Sequence, residues 1–150
     1  RAEARRVRNR LEKEKGPARS GINIKHGAGG MLDVYFVTRY LQLRDNVMDH
    51  GEDRTTRAVL SLLREAESIS PEDHQALAEG YSFLRAVDHQ HRLIVGRSAT
   101  LPGPEQPAFR DIARRLDLEG AEELAANLRA RMKEIRAAYD RIMRDEAIQR

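Results

Sequence analysis

Ile22-Asn23-Ile24-Lys25-His26-Gly27-Ala28-Gly29-Gly30-Met31-Leu32-Asp33-Val34-Tyr35-Phe36 carries a short apolar-polar alternation into a glycine-rich turn and then opens an amphipathic helix. Glycine at three of the four positions 27–30 permits backbone torsions that side chains forbid. A helix starting just beyond would leave unpaired N–H groups and the positive end of its dipole facing whatever the turn encloses. Lys25 adds a mobile positive charge. One reading is therefore an anion-binding turn; the other is a flexible hinge that lets the helix start at an angle to the preceding chain. The pattern is neither a Walker loop nor a dinucleotide fingerprint, because no Gly-Lys-Ser/Thr closes it and no strand-helix-strand repeat surrounds it. Asp33, in the first helical turn, either serves a site at the turn or stabilises the helix start through the dipole.

Outward from this stretch, apolar residues recur at spacings of three and four with little sustained alternation, which predicts an all-α bundle of six helices. The first, about Ala2 to Lys15, has only Val7 and Leu11 as a thin apolar stripe and stops at Gly16-Pro17. The second runs from Met31 to about Met48, with Phe36, Val37, Tyr40, Leu41 and Val47 on one face and Asp49-His50-Gly51 ending it. The third starts at Thr55 or Thr56 and reaches about Glu67 through Val59, Leu60 and Leu63. Ser70-Pro71-Glu72-Asp73 opens the fourth, with Ser as cap, Pro at the first helical position and an acid that approximates a capping box. Leu77, Tyr81, Leu84, Val87, His91 and Ile94 share its long face. Residues 96–106 read as an ordered crossing loop, Pro107 to Leu116 as a short fifth helix, and Ala121 to about Ile148 as a sixth some 40 Å long.

With 150 residues, 40% hydrophobic and 34% charged, the chain has the size and balance of one globular domain, 1–150. It holds no apolar run long enough for a membrane span and no signal-peptide pattern, which points to a cytoplasmic setting, and no cysteine. It begins with Arg inside a helix and reads as a piece of a longer protein. Residues 1–19 carry +5 and the remainder −2. That basic lead-in lacks interleaved aromatics and a matching positive face elsewhere, so it reads as a solvated or partner-facing helix rather than a nucleic-acid surface.

Candidate chemistry is sparse. His89 and His91 point about 200° apart on a helix and cannot share a metal ion, whereas Asp88 and His91 have the spacing to pair. His26, His50 and His74 are isolated. Metal-dependent nucleotidyl transfer generally uses closely spaced carboxylates, and the chain has no Asp-x-Asp. No metal site and no catalytic residue are assigned.

Lys25 to Phe36, followed by Tyr40-Leu41-Gln42-Leu43-Arg44, resembles the Lys-x-Gly-x-Gly-Gly-Ile-x-Asp-Ile-Glu-Phe…Tyr-Leu-Gln-Leu motif of glutamine synthetase adenylyltransferases. Tyr81 to His89 resembles the family's Tyr-x-Phe-Leu-Arg-x-Val-Glu-His, and Thr100-Leu101-Pro102 its Thr-Leu-Pro turn. The resemblance covers about residues 1–140. It implies the helical domain that follows a nucleotidyltransferase domain in those enzymes and is shared with the uridylyltransferases of the PII regulatory protein. The catalytic strand-turn would lie upstream and outside this chain, which alone is then expected to be inactive. The intact enzyme would use ATP and Mg2+ to transfer AMP to glutamine synthetase, or remove it, under control of PII and glutamine. Carried over by position, Lys25, Gly27, Gly29, Gly30 and Asp33 would face the catalytic domain near the nucleotide phosphates. Two departures stand out: Tyr35 replaces the motif's glutamate, and Leu32 precedes Asp33 in place of a basic residue or valine. The alternative function is a helical interaction module whose glycine turn is only a hinge.

Overall fold

The computed structural model describes residues 1–15, 21–48, 55–96 and 100–144. Among these residues six helices follow one another: α1 (Ala2–Lys15), α2 (Met31–Asp45), α3 (Thr56–Glu65), α4 (Pro71–Ile94), α5 (Pro107–Arg115) and α6 (Ala121–Met143). The described residues contain no β-strand beyond a single antiparallel bridge between Asn23 and Thr100. The all-α bundle expected from the periodicity is the observed architecture.

α4 and α6 form the most extensive helix pair, and α2, α3 and α5 pack around them. Their core is one cluster: Leu77, Leu84 and Val87 of α4 meet Leu124, Leu128, Ile135 and Tyr139 of α6, with Val34, Val37 and Leu41 of α2, Leu60 and Leu63 of α3, and Phe109 and Ile112 of α5 closing the sides. Burial of these apolar side chains, rather than helix propensity, supplies most of the stability of such short helices.

The starts match the residues that signal them. Thr55 accepts from the N–H of Ala58 (3.2 Å) and Ser70 from that of Asp73 (3.1 Å), each satisfying an orphan donor of the first turn. Asp73 departs from the capping-box expectation, because its carboxylate pairs with Arg141 of α6 (Nε, 3.0 Å). The ends come earlier than expected. α2 stops at Asp45 because Asn46 turns left-handed (φ 53°) and the Val47 N–H reaches back to the Gln42 carbonyl (3.0 Å). α3 and α5 close in the same way, with Glu67 and Asp117 left-handed and the N–H groups of Ser68 and Leu118 bonding the carbonyls of Leu63 and Ala113. The expected stop at Asp49-His50-Gly51 lies outside the described residues. α6 ends at Met143, where Arg144 becomes extended, so its 23 residues span roughly 35 Å.

α1 departs most from expectation. Val7 and Leu11 are only half-buried, whereas Arg8 is fully buried and is the largest fully buried side chain among the described residues. A helix with so thin an apolar stripe is held by a charge.

Candidate functional site

The turn before α2 is built from its own backbone. The Asn23 side-chain oxygen accepts the N–H groups of Lys25 (3.2 Å) and His26 (2.8 Å), and its carbonyl accepts that of Gly27 (3.0 Å). Gly30 donates to Gly27, Met31 to Ile24, Leu32 to Lys25 and Asp33 to Gly30, all within 3.1 Å. The first-turn donors of α2, which an anion would need, are thus bonded to carbonyls of the turn itself.

The glycines are required by close approach. At Gly29 (φ +76°) an added Cβ would lie 1.9 Å from the Met132 carbonyl oxygen of α6, and at Gly30 it would sit among three turn carbonyls at 2.7–2.9 Å. At Gly27 it would lie 2.6 Å from the Asn23 carbonyl oxygen. Asp33 is fully buried. Its Oδ1 accepts from Arg8 Nε (2.5 Å), and its Oδ2 from the Gly29 N–H (2.6 Å) and Arg136 Nη1 (3.2 Å). Arg8 also donates to the carbonyls of His26 and Gly27, both at 2.9 Å. Arg136 bridges onward to Glu12 of α1 (3.1 Å) and lies over the Tyr139 ring (4.8 Å). Burial and the neighbouring Asp33 raise the Tyr139 hydroxyl above the usual tyrosine range. The turn is therefore a packed knot joining α1, α2 and α6, and its charges are internally compensated.

Lys25 is separate from this knot. It is exposed and lines a small cavity of about 190 Å³ with Tyr35 and Leu32 of α2, Thr56 of α3, and Tyr81, Arg85, Asp88 and Arg92 of α4. Ala28 instead lines a different cavity against α6, beside Arg129, Lys133 and Arg136. Of the five residues proposed for the site, Lys25 stands at an open cleft, Gly27 is half-buried, and Gly29, Gly30 and Asp33 are buried in the turn. Asp88 pairs with Arg92 (Nε, 3.0 Å) rather than with His91. His89 is exposed and His91 fully buried, as opposite helix faces require, and no group of three His, Asp or Glu among the described residues is placed to hold a metal ion.

The residues missed in the sequence are arginines. Arg8 follows Val7 on the α1 stripe and lies one helical turn from Ala4 and Leu11, a position that points inward. Arg39, Arg57 and Arg85 come from three different helices and converge only in the fold, which no local pattern announces.

Residues 1–143, the six helices and the turn that joins α1, α2 and α6 among them, match the family described as GlnD PII-uridylyltransferase. The chain belongs to that family. It is 31% identical over 131 residues to a bifunctional glutamine synthetase adenylyltransferase/adenylyl-removing enzyme of Xanthobacter autotrophicus, covering 85% of this chain and 13% of that protein. The enzyme of the same name from Mycobacterium bovis is 32% identical over 136 residues (87% of this chain, 14% of that protein). The Agrobacterium fabrum enzyme is 26% identical over 127 residues (84% and 13%). The chain thus spans about one seventh of the length of these relatives. Among the described residues no helix is long and apolar enough to cross a membrane.

Proposed function

We propose that this chain is a helical, non-catalytic domain of a glutamine synthetase adenylyltransferase-like enzyme, in which it positions nucleotide or a protein partner against a nucleotidyltransferase domain of the same polypeptide. One observation carries the reading: Lys25, exposed at a cleft shared with Arg85 and Arg92, projects from a turn whose backbone is fixed by buried hydrogen bonds. A cation on a backbone that is already fixed suits a phosphate group, because only the Lys25 side chain has to be ordered when the ligand arrives. The donor set fits phosphates better than a cation. Asp33 and Asp88, the carboxylates nearest Lys25 in sequence and cleft, are both engaged by arginines. ATP would present its phosphates here, and the ligands for Mg2+ and the transfer chemistry would belong to the catalytic domain.

On this reading glutamine synthetase is the protein acted upon, PII a regulatory partner, nitrogen regulation the process and the cytoplasm its place. Lys25→Ala in the full-length enzyme is expected to raise the KM for ATP about ten-fold, the loss of one charge-assisted contact. Because Lys25 is exposed, thermal stability should stay within about 0.5 kcal/mol. An unchanged KM removes the reading. A second reading, an interaction module indifferent to nucleotide, is favoured by the internal satisfaction of the turn's N–H groups. An amide-resolved titration of this chain with Mg-ATP separates them: localised shifts near Lys25, Arg85 and Arg92 support the first, and their absence the second.

A further inference from the structure

Beyond the Lys25 cavity, and sharing Tyr35, Thr56, Tyr81 and Arg85 with it, lies a larger cleft of about 800 Å³ between α2, α3 and α4. That volume is within the range of small-molecule sites. Three arginines from three helices line it: Arg39 of α2, Arg57 of α3 and Arg85 of α4. His74 joins them, and no carboxylate is among the described lining residues. Arg39 lies over the Tyr35 ring (5.3 Å from its centroid) and bonds the Gln42 side chain (2.7 Å). Arg57 and Arg85 are exposed, and among the described residues neither is paired with a carboxylate.

Mutual repulsion disfavours gathering like charges in one concavity unless something of opposite sign offsets it. The first turn of α3, through Thr56, Arg57 and Ala58, faces the same space and adds the positive end of its dipole. Hydroxyl groups of Ser82 and Tyr81 supply neutral donors. Planar, forked guanidinium groups match phosphate oxygens, and tyrosine rings at the wall offer flat apolar contact.

We propose that the α2–α3–α4 cleft binds a phosphate-bearing ligand through Arg57 and Arg85, with Tyr35 and Tyr81 as its aromatic walls. The site extends the reading above, because it adjoins the Lys25 cavity, but it does not depend on Lys25. Arg57 and Arg85 together suit a ligand that carries more than one negative charge.

The test is an NMR titration of the 150-residue chain with inorganic tripolyphosphate and, separately, with ATP, following the arginine Nε–H and tyrosine ring signals. Saturable shifts at Arg57, Arg85 and Tyr81 are expected. Saturation by both probes identifies phosphate alone as the recognised group, and saturation by ATP only identifies the nucleotide. In either case the Arg57→Ala/Arg85→Ala pair should weaken binding at least about ten-fold, as expected for the loss of two charge-assisted contacts. A control pair, Arg64→Ala/Arg110→Ala, removes the same charge elsewhere on the exposed surface and should leave affinity unchanged. Circular dichroism checks that each pair is folded. No saturable shift with either probe, or equal losses from the two pairs, overturns the proposal. If Lys25→Ala abolishes ATP binding while the Arg57/Arg85 pair leaves it intact, the cleft fails and the positioning role of Lys25 stands.

Discussion

Arg8 of α1 and Asp33 of α2 meet at 2.5 Å with neither side chain exposed, and both also bond the glycine turn between them. Removing one partner of a buried pair leaves the other charged and desolvated. Asp33→Asn is therefore expected to cost about 3–5 kcal/mol in urea unfolding, with little dependence on salt because a buried pair is poorly screened. The Arg8→Ala/Asp33→Ala double variant should lose less than the sum of the singles, a coupling measured by the double-mutant cycle.

The glycines of the chain are not equivalent. Gly29→Ala combines a left-handed residue, worth about 1–2 kcal/mol, with a Cβ driven into the Met132 carbonyl, so a loss of at least about 3 kcal/mol is expected. Gly120 is extended, caps α6 and has open space around it. Gly120→Ser should gain a few tenths of a kcal/mol by offering a capping oxygen. Thermal melts of the two variants should move in opposite directions.

His91 makes stability pH-dependent. Burial, aided by Arg92, pushes its imidazole below the usual histidine range against the opposing pull of Asp88, and neither ring nitrogen has a hydrogen-bond partner. The folded state thus binds a proton less readily than the unfolded chain. The stabilisation is complete above about pH 6.5, the unfolded value, and is lost as the pH falls below it, with a slope of at most about 1.4 kcal/mol per pH unit. The slope ends once the pH passes the folded value. His91→Leu should flatten that part of the profile, as read from urea midpoints between pH 7.5 and 5.

Among the described residues, three helix ends place a residue other than glycine in the left-handed conformation: Asn46, Glu67 and Asp117. Glu67→Gly is expected to stabilise by up to about 1 kcal/mol, because glycine adopts this torsion without steric cost. Asn46→Gly should gain less, since asparagine already tolerates the conformation. Chemical unfolding of both single variants measures the order.

The number of helices and their start residues were legible because Thr55, Ser70-Pro71 and Pro107 act locally, and the apolar period of α4 and α6 is long enough to be unmistakable. The ends were less legible. Glu67 and Asp117 carry no glycine-like signal, and their left-handed turns are imposed by the return of Ser68 and Leu118 to the preceding helix. At the turn, the motif is visible in the sequence, but what its residues touch depends on partners far away in the chain. Asp33 looks like a free carboxylate at a helix start until Arg8 and Arg136, 25 and 103 residues away, are brought to it. The arginine cleft was not legible for the same reason, because its three guanidinium groups come from three helices.

The bridge between Asn23 and Thr100, with the Leu101 N–H bonded to the Ile22 carbonyl (2.9 Å), pins the front of the turn to the crossing loop. Met132 stands behind it, and Arg8 reaches it from the first helix. Segments from the beginning, middle and end of the chain therefore converge on the same dozen residues. The domain has no dispensable edge: deleting α1 would strip the turn of its guanidinium, and deleting α6 would strip it of its floor. Minimal versions for crystallography or display must keep both outer helices, and a protein dissected at either of them would lose the turn together with the segment removed.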